Sequence, residues 1–430
     1  VEVGWKSMLY LTLTGRNDWA SQLANSSTSS FFYPSVGLSG VISEMIQMPS
    51  FIDYMKVRGS FSSVGMPYPR NLTSPTYEYN EATQSWKPKT HYPIGDLKPE
   101  RTDSWEVGLD MKLFKDFNLG LSWYLANTFN QTFDPQISVS SGYTTIYLQT
   151  GYVRNTGLEL SLGYGHTWNN NFRWDSNFTL SHNKNKIKEL VRDYVHPETG
   201  ELINKDRLDV GGLGKARFIL KEGGTLGDLY TQSDLKRDDN GMVDIDPTGI
   251  VAIENNLPDI KLGSVFPKAN LAWSNHFSWK GISLSALFTA RIGGIVYSAT
   301  EAAMDQYGVS ERSALARDNG GVLVNNRTLV DAQNYYTTIG SESGLPQYYT
   351  YNATNVRLQE ASIGYLIPRK WLGNVCDIQV SVIGRNLWMI YNKAPFDPES
   401  VATTDNYYQG IDYFMLPSTR NIGFNVKINF

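Results

Sequence analysis

Between Ser104 and Leu125 the chain changes polarity at almost every residue. Trp105, Val107, Leu109, Met111 and Leu113 alternate with Ser104, Glu106, Gly108, Asp110 and Lys112. After the three residues FKD, Leu119, Leu121, Trp123 and Leu125 alternate with Asn118, Gly120, Ser122 and Tyr124. A period of two puts successive side chains on opposite faces of a strand, so each run is a strand with one apolar and one polar face. The pattern recurs at Leu158, Leu160, Leu162 and Tyr164, at Ile282, Leu284, Ala286, Phe288 and Ala290, and at Ile422, Phe424, Val426, Ile428 and Phe430. A soluble sandwich turns the apolar face inward, whereas a membrane barrel turns it toward lipid and keeps the polar face in a wet lumen.

The links between runs decide between the two. FKD, NNN after Trp168, a single Lys after Trp279 and PRKWLGNV after Ile367 are short. Links near 65–101, 130–152, 184–265, 294–351 and 392–417 are long, and they alternate with the short ones. Short turns on one rim and long loops on the other are the pattern of an outer-membrane barrel, and a compact soluble domain seldom carries so many long loops. The sequence therefore predicts an all-β, antiparallel transmembrane β-barrel. About twelve strands are expected, near 5–14, 31–45, 51–64, 102–113, 117–129, 154–167, 172–183, 266–279, 281–293, 353–367, 375–391 and 418–430. In NVRLQEASIGY, Val356 and Leu358 are even but Ala361, Ile363 and Tyr365 are odd, which predicts a bulge near Gln359–Glu360. A barrel closes by pairing its last strand with its first, so the terminal run needs no tail.

Composition agrees. Hydrophobic residues make up 41% of the chain, mean hydropathy is −0.33, and no run approaches the roughly 18–20 apolar residues of a spanning helix. That excludes a helical membrane protein and leaves a barrel open. The 26 Tyr and 11 Trp gather near strand ends, where interfacial girdles use them. A net charge of −4 gives a nucleic-acid partner no support. Cys376 is the sole cysteine, so no intramolecular disulfide forms. The first residues, VEVGWKSMLYLTLTG, hold no initiator Met or charged export leader, and a barrel needs one; a fragment, or a start within a domain, is expected.

Catalytic signatures are missing. There is no HExxH, GxSxG or Walker A motif, and GGLGKA at 211–216 lacks the third glycine of a dinucleotide loop. His276, on the lumen side of its run, is the one histidine placed to serve a serine, and lumen polarity explains it more simply. KRDDNGMVDID at 236–246 has Asp238 and Asn240 at calcium-loop positions, but Lys236 and Pro247 occupy two others, so it reads as a polar turn. No enzyme, cofactor or metal is expected. The aromatics of the long loops, Tyr68, Tyr77, Tyr79, Trp86 and Tyr92, then Tyr348, Tyr349 and Tyr351, are candidate ligand contacts, because ring faces beside amides and carboxylates suit sugar rings. The alternative is that the loops pack on their own aromatics. Alternation further assigns Glu106, Asp110, Tyr124, Arg173, Asp175, Arg291 and Arg385 to the lumen.

Taken in order, GRNDW at 15–19, FFYPSVGLSGVISE at 31–44, VRGSFSSVG at 57–65 and LKPERTDSWEVGLD at 97–110 resemble stretches of the SusC/RagA-like TonB-dependent transporters. So do YVRNTGLELSL at 152–162, VRLQEASIGYLIP at 356–368, GRNLWMIYNKAPFDPES at 384–400 and the terminal NIGFNVKINF, so the resemblance covers essentially the whole chain. It implies a 22-stranded barrel of which residues 1–430 are about the last twelve strands, with the plug domain and TonB-contacting segment absent from this chain. It also implies TonB-dependent import of oligosaccharides or oligopeptides across the Gram-negative outer membrane. A SusD-like surface lipoprotein would act as a lid, and two transporter–lipoprotein pairs would form a dimer. The lumen residues named above would then face the plug. Other classes compatible with the residues are an outer-membrane barrel enzyme, an adhesin presenting its loops, and a secreted sugar-binding sandwich.

Overall fold

A computed structural model describes residues 1–23, 26–27, 29–66, 77–88, 91–92, 98–133, 143, 145–146, 148–168, 171–195, 200, 202–403 and 408–429. Its main feature is one 13-stranded sheet whose strands follow each other in chain order. The strands are β1 (Glu2–Trp5), β2 (Leu9–Trp19), β3 (Ser30–Val41), β4 (Ile52–Met66), β5 (Glu100–Leu113), β6 (Phe117–Phe133) and β7 (Leu148–Thr167), followed by β8 (Arg173–Glu189), β9 (Ala269–Trp279), β10 (Ile282–Ile292), β11 (Asn355–Ile367), β12 (Asp377–Asn392) and β13 (Asn421–Asn429). Every neighbouring pair is antiparallel.

Register keeps each alternating run on its own face. Leu160 lies opposite Leu121 on one side and Leu180 on the other, and Leu109 lies opposite both Val57 and Leu121. The apolar face is bare to the surroundings: Trp105, Val107, Leu158, Leu284, Val382 and Phe424 are all exposed. From Trp105 to Leu113 the apolar column covers eight steps of about 3.4 Å, roughly 27 Å along the strand, which suits a hydrocarbon band some 25 Å tall. At the short-turn rim the column ends in touching rings. Phe117 meets Tyr164 at 4.7 Å, Tyr164 meets Trp174 at 5.1 Å and Trp174 stacks on Phe277 at 5.8 Å. These rings form the interfacial girdle that composition suggested.

The predicted bulge is present. Leu287 pairs with Glu360 and Phe288 with Leu358, so Gln359 is the extra residue, and the partner strand β12 skips it as well. Two expectations need correction. The first strand is two: Lys6 and Ser7, both at positive φ, turn the chain between β1 and β2 without the glycine or asparagine that usually takes that conformation. Among the described residues the last strand does not pair with the first: β13 bonds β12 alone and β1 bonds β2 alone, leaving two open edges.

Close packing also appears on the polar face. A Cβ at Gly157 would lie 2.2 Å from the Tyr124 ring, so the glycine seats that ring across the strand pair, and its hydroxyl donates to Asn183 at 3.2 Å. Gly157→Val is expected to displace the ring and cost about 1–3 kcal/mol of stability, read as a lower midpoint in denaturant titration of the detergent-extracted protein.

The long links do not splay. Arg207–Leu213, Ala216–Lys221, Asp228–Thr231 and Ile260–Ser264 form a four-stranded sheet, and Ile295–Ser298 pairs with Thr350–Asn352 and Ile411–Asp412. Three helices lie in the 293–354 link: α1 (Ala299–Gln306), α2 (Glu311–Asp318) and α3 (Ala332–Gly340). Each has a side-chain cap, from Ser298, Ser310 and Asp331 respectively, and these capping residues were the overlooked sequence signal. Phe218, Leu229, Val265, Leu345 and Tyr349 share one core drawn from several links. The hydrophobic core of the chain thus sits in the loops, because the sheet spends its apolar face outward. No helix among the described residues is long and apolar enough to cross a membrane.

Candidate functional site

The polar residues of the sheet gather on the face opposite the apolar band, where their charges answer one another. Arg58 donates to Asp110 at 2.7 Å, to Glu106 at 3.2 Å and to the Ser122 hydroxyl at 2.6 Å. Arg173 grips Asp175 at 2.6 and 2.5 Å, and Arg385 donates to Glu360 at 2.8 Å. Arg291 donates to the Val265 carbonyl at 2.6 Å and so ties the wall to the loop layer. Pairs this exposed add little to stability, about 0–1 kcal/mol each, and their groups keep hydrogen-bonding capacity for a solute.

Two clefts run along this face. One, of about 1000 Å³, is lined by Asp110, Lys112, Arg173, Asp175, His276 and Glu360. The other, of about 740 Å³, is lined by Arg58, Asp110, Glu159, Arg291 and Glu399, so Asp110 borders both. Of the residues assigned to the lumen from alternation, Asp110, Arg173, Asp175 and Arg291 line clefts, while Glu106, Tyr124 and Arg385 bond residues of the same face.

Above the sheet, Arg357 on β11 is 4% exposed and was overlooked in the sequence. It holds Asp397 through two nitrogens at 3.1 and 2.8 Å and approaches Glu399 at 3.3 Å, clasping the 393–420 link to the strand. The signal was the sole arginine of the NVRLQEASIGY run, set ahead of an acidic FDPES stretch. A second buried centre is Asp305 on α1. Tyr349 donates to it at 2.9 Å, Ser310 at 2.5 Å and Arg312 at 2.9 Å. Burial, with Asp305 beside it, pushes the Tyr349 hydroxyl well above the ordinary tyrosine range.

The candidate loop aromatics separate into two groups. Tyr77, Tyr79 and Trp86 lie on an exposed hairpin, Tyr77–Asn80 with Ser85–Pro88, where the Tyr79 and Trp86 rings sit 5.1 Å apart. Tyr349 is 1% exposed inside the loop core, with Arg312 over its ring at 4.8 Å, so its faces are covered. Tyr348 packs against that core and Tyr351 meets Phe396 edge-on at 5.8 Å. Tyr92 belongs to a two-residue strand paired with Thr145–Ile146, and Tyr68 lies outside the described residues.

KRDDNGMVDID folds as a turn. The Asp238 carboxylate accepts from the Asn240 and Met242 amides at 2.9 Å, and eight residues on Asp246 accepts from Thr248 and Ile250 in the same way. Among the described residues no group of three or more His, Cys, Asp or Glu is placed to hold a metal.

The four-stranded loop sheet carries a pH-sensitive clasp. Arg207 donates to Asp259 at 2.6 and 2.9 Å and Lys221 approaches it at 2.9 Å. Arg207, and then Lys221, hold the Asp259 carboxyl well below the usual carboxylate range despite its burial. A depressed folded-state value stabilises above the unfolded value of about 3.9 and is lost as pH falls toward the folded one. Amide protection in residues 207–221 is therefore expected to fall below about pH 4, and Asp259→Asn to remove that dependence, both read by hydrogen exchange.

Comparison with known proteins accords with this geometry. The family model described as TonB dependent receptor-like, beta-barrel matches residues 1–354. TonB-dependent receptor P3 of Formosa agariphila is 24% identical over 99% of the chain and 45% of the relative, and TonB-dependent receptor P26 of the same organism is 24% identical over the same shares. The chain thus spans about half the length of the curated relatives it matches. Among solved structures, the RagAB peptide transporter superposes with a TM-score of 0.75 at 19% identity, over 100% of this chain and 47% of that one. The RagAB peptide importer in its closed-closed state gives 0.74 at 20% identity, over the same shares. The chain belongs to the TonB-dependent receptor-like β-barrel family of the Gram-negative outer membrane, and its fold is that of the RagAB structures.

Proposed function

We propose that residues 1–430 form the C-terminal barrel portion of a TonB-dependent importer of polar oligomers, oligosaccharides or oligopeptides. The observation that carries this reading is the mixed-charge inner wall, with its clefts of about 1000 and 740 Å³, beneath loops packed into a rigid layer. Such a wall offers donors and acceptors along a route wide enough for more than a monomer. The open edges of β1 and β13 support the reading of an incomplete barrel: unpaired backbone groups in hydrocarbon cost several kcal/mol each, and further strands would pair with them. A plug and a TonB-contacting segment would come from that remaining part. Ligand binding would shift the balance between plugged and open states, with energy delivered through TonB.

The exposed hairpin with Tyr77, Tyr79 and Trp86 favours sugars, because Tyr77 and Trp86 stay largely exposed and present ring surface for stacking. The RagAB relatives of this fold are named as peptide importers, and paired arginines and carboxylates also suit peptide termini, so oligopeptides are the second reading. A SusD-like lipoprotein would close over the loops as a lid, and transporter–lipoprotein pairs would associate as a dimer.

The test is uptake of labelled oligosaccharide and oligopeptide mixtures by cells carrying the complete protein. Accumulation that stops when TonB is removed supports the reading, and the class that accumulates names the substrate. Accumulation that persists without TonB, or none of either class, overturns it. Trp86→Ala is expected to weaken oligosaccharide binding by about three- to tenfold, measured by calorimetry, the worth of one aromatic contact.

A further inference from the structure

Seen from outside the sheet, β8 changes character along its length. Its outward residues run Trp174, Ser176, Phe178 and Leu180, and then His182, Lys184, Lys186 and Lys188. The intervening residues fix the direction in which the lysines point. Asn185 and Ile187 are buried on the opposite side, Asn185 accepting from the Leu226 amide at 2.9 Å and Ile187 packing with Val153, Leu190 and Leu226 under the loop layer. The three lysines are exposed, face away from the clefts, and among the described residues form no ion pair.

The neighbouring strand adds a fourth cation. Arg154 on β7 lies directly opposite Lys186 and is held in place by the Asn127 side chain at 2.8 Å and the Tyr152 hydroxyl at 2.5 Å, while the Tyr152 ring stacks on Phe129 at 4.9 Å. Lys188 lies within the field of Arg154, Lys184 and Lys186 together. Four like charges on one ledge repel, and a fold retains them against that cost most simply when an anion sits there. Toward the far strands the outward residues near the same rim are Ile292, Val356 and Ile390, and on β5 Arg101 lies over the Phe129 ring at 5.9 Å but is neutralised by Asp103, so the unpaired cations are those of β7 and β8.

Position names the anion. The ledge begins one turn of the alternation above Leu180, at the long-loop end of the apolar band, which faces the cell exterior. Lys184 lies about four strand steps past the last apolar residue of its column, roughly 14 Å along the strand and about 10 Å along the membrane normal at a tilt of about 45°, at the outer edge of the headgroup layer. We propose that Arg154, Lys184, Lys186 and Lys188 form a binding site for the phosphate groups of the anionic glycolipid of the outer leaflet. The Phe129 and Tyr152 rings lie beside the ledge at the level where sugars of such a headgroup begin. An imported solute is a poorer occupant, because the ledge faces away from the inner wall.

The test uses the complete protein extracted in detergent and freed of bound lipid, titrated with a bisphosphorylated outer-leaflet glycolipid and followed by native mass spectrometry. Binding is expected, and the combined Lys184→Gln, Lys186→Gln and Lys188→Gln variant should bind about a hundredfold more weakly, at roughly fivefold per charge. The matching triple Lys→Arg variant should keep binding. Its retention, with an unchanged thermal midpoint of the glutamine variant in lipid-free detergent, separates loss of charge from misfolding. The same glycolipid stripped of phosphate should bind as weakly to the wild type as the intact glycolipid does to the glutamine variant, and inorganic phosphate alone should not compete at equal concentration. Equal binding by wild type and glutamine variant, or equal binding of the stripped glycolipid, overturns the proposal. Displacement by inorganic phosphate overturns it in favour of a free-anion site.

Discussion

Asp305→Ala is expected to loosen the loop layer by about 2–4 kcal/mol, because two buried hydroxyls lose their acceptor at about 1–3 kcal/mol each while the partly exposed Arg312 can turn to water. The Asp305 side chain is fully buried and accepts from Tyr349, Ser310 and Arg312 at once. Without it, Arg312 retains its charge beside the Tyr349 ring, and two hydroxyls lose their acceptor in a closed core. The sheet does not share this network, so the effect should stay local. Hydrogen exchange should rise across α1, α2 and residues 345–350 while β5 to β8 keep their protection. Asp305→Asn, which keeps acceptor capacity but not charge, should fall between the two.

Deleting Gln359 should do comparable damage by another route. The bulge lets Glu360 and Arg357 both face inward although they are three residues apart. Removal of the extra residue shifts the upper part of β11 by one position and flips every side chain there. Arg357 would then turn toward lipid and leave Asp397 and Glu399 unpaired, while Leu358 and Val356 would enter the polar lumen. The broken Arg357–Asp397 pair alone is worth about 3–5 kcal/mol, and a lipid-facing arginine adds up to about 2–4 kcal/mol depending on depth. The expected outcome is a protein that fails to reach the protease-resistant barrel form, read on unheated gels. Gln359→Ala, which keeps the residue count, should assemble normally.

The strands were legible because lipid on one side and water on the other impose strict alternation, so that a single slip such as that at Gln359 stands out. Parity also put Glu106 and Asp110 on one face, whereas Arg58, which bonds both, was not picked out. The β1–β2 turn was hidden because Lys6 and Ser7 adopt positive φ without glycine or asparagine. The loop layer was illegible for a different reason. Its core joins residues as distant as Phe218, Tyr349 and Ile411, and no local period encodes such contacts. Tyr349 illustrates the consequence: an aromatic in a long loop reads equally as a ligand contact or as core, and only its acceptor, Asp305, decides. Arg357 was overlooked because its partners lie forty residues on, across a hairpin.

The central claim is that the sheet turns its apolar face to lipid and its charged face to a lumen. The most direct measurement is the accessibility of single cysteines along β5 in the complete protein, in its own outer membrane, with Cys376 replaced by serine. Cysteines at Glu106 and Asp110 are expected to react with a water-soluble maleimide while those at Val107 and Leu109 resist it, and spin labels at Val107 and Leu109 to be relaxed by oxygen from the bilayer. The reverse pattern, or uniform reactivity along the strand, would contradict it.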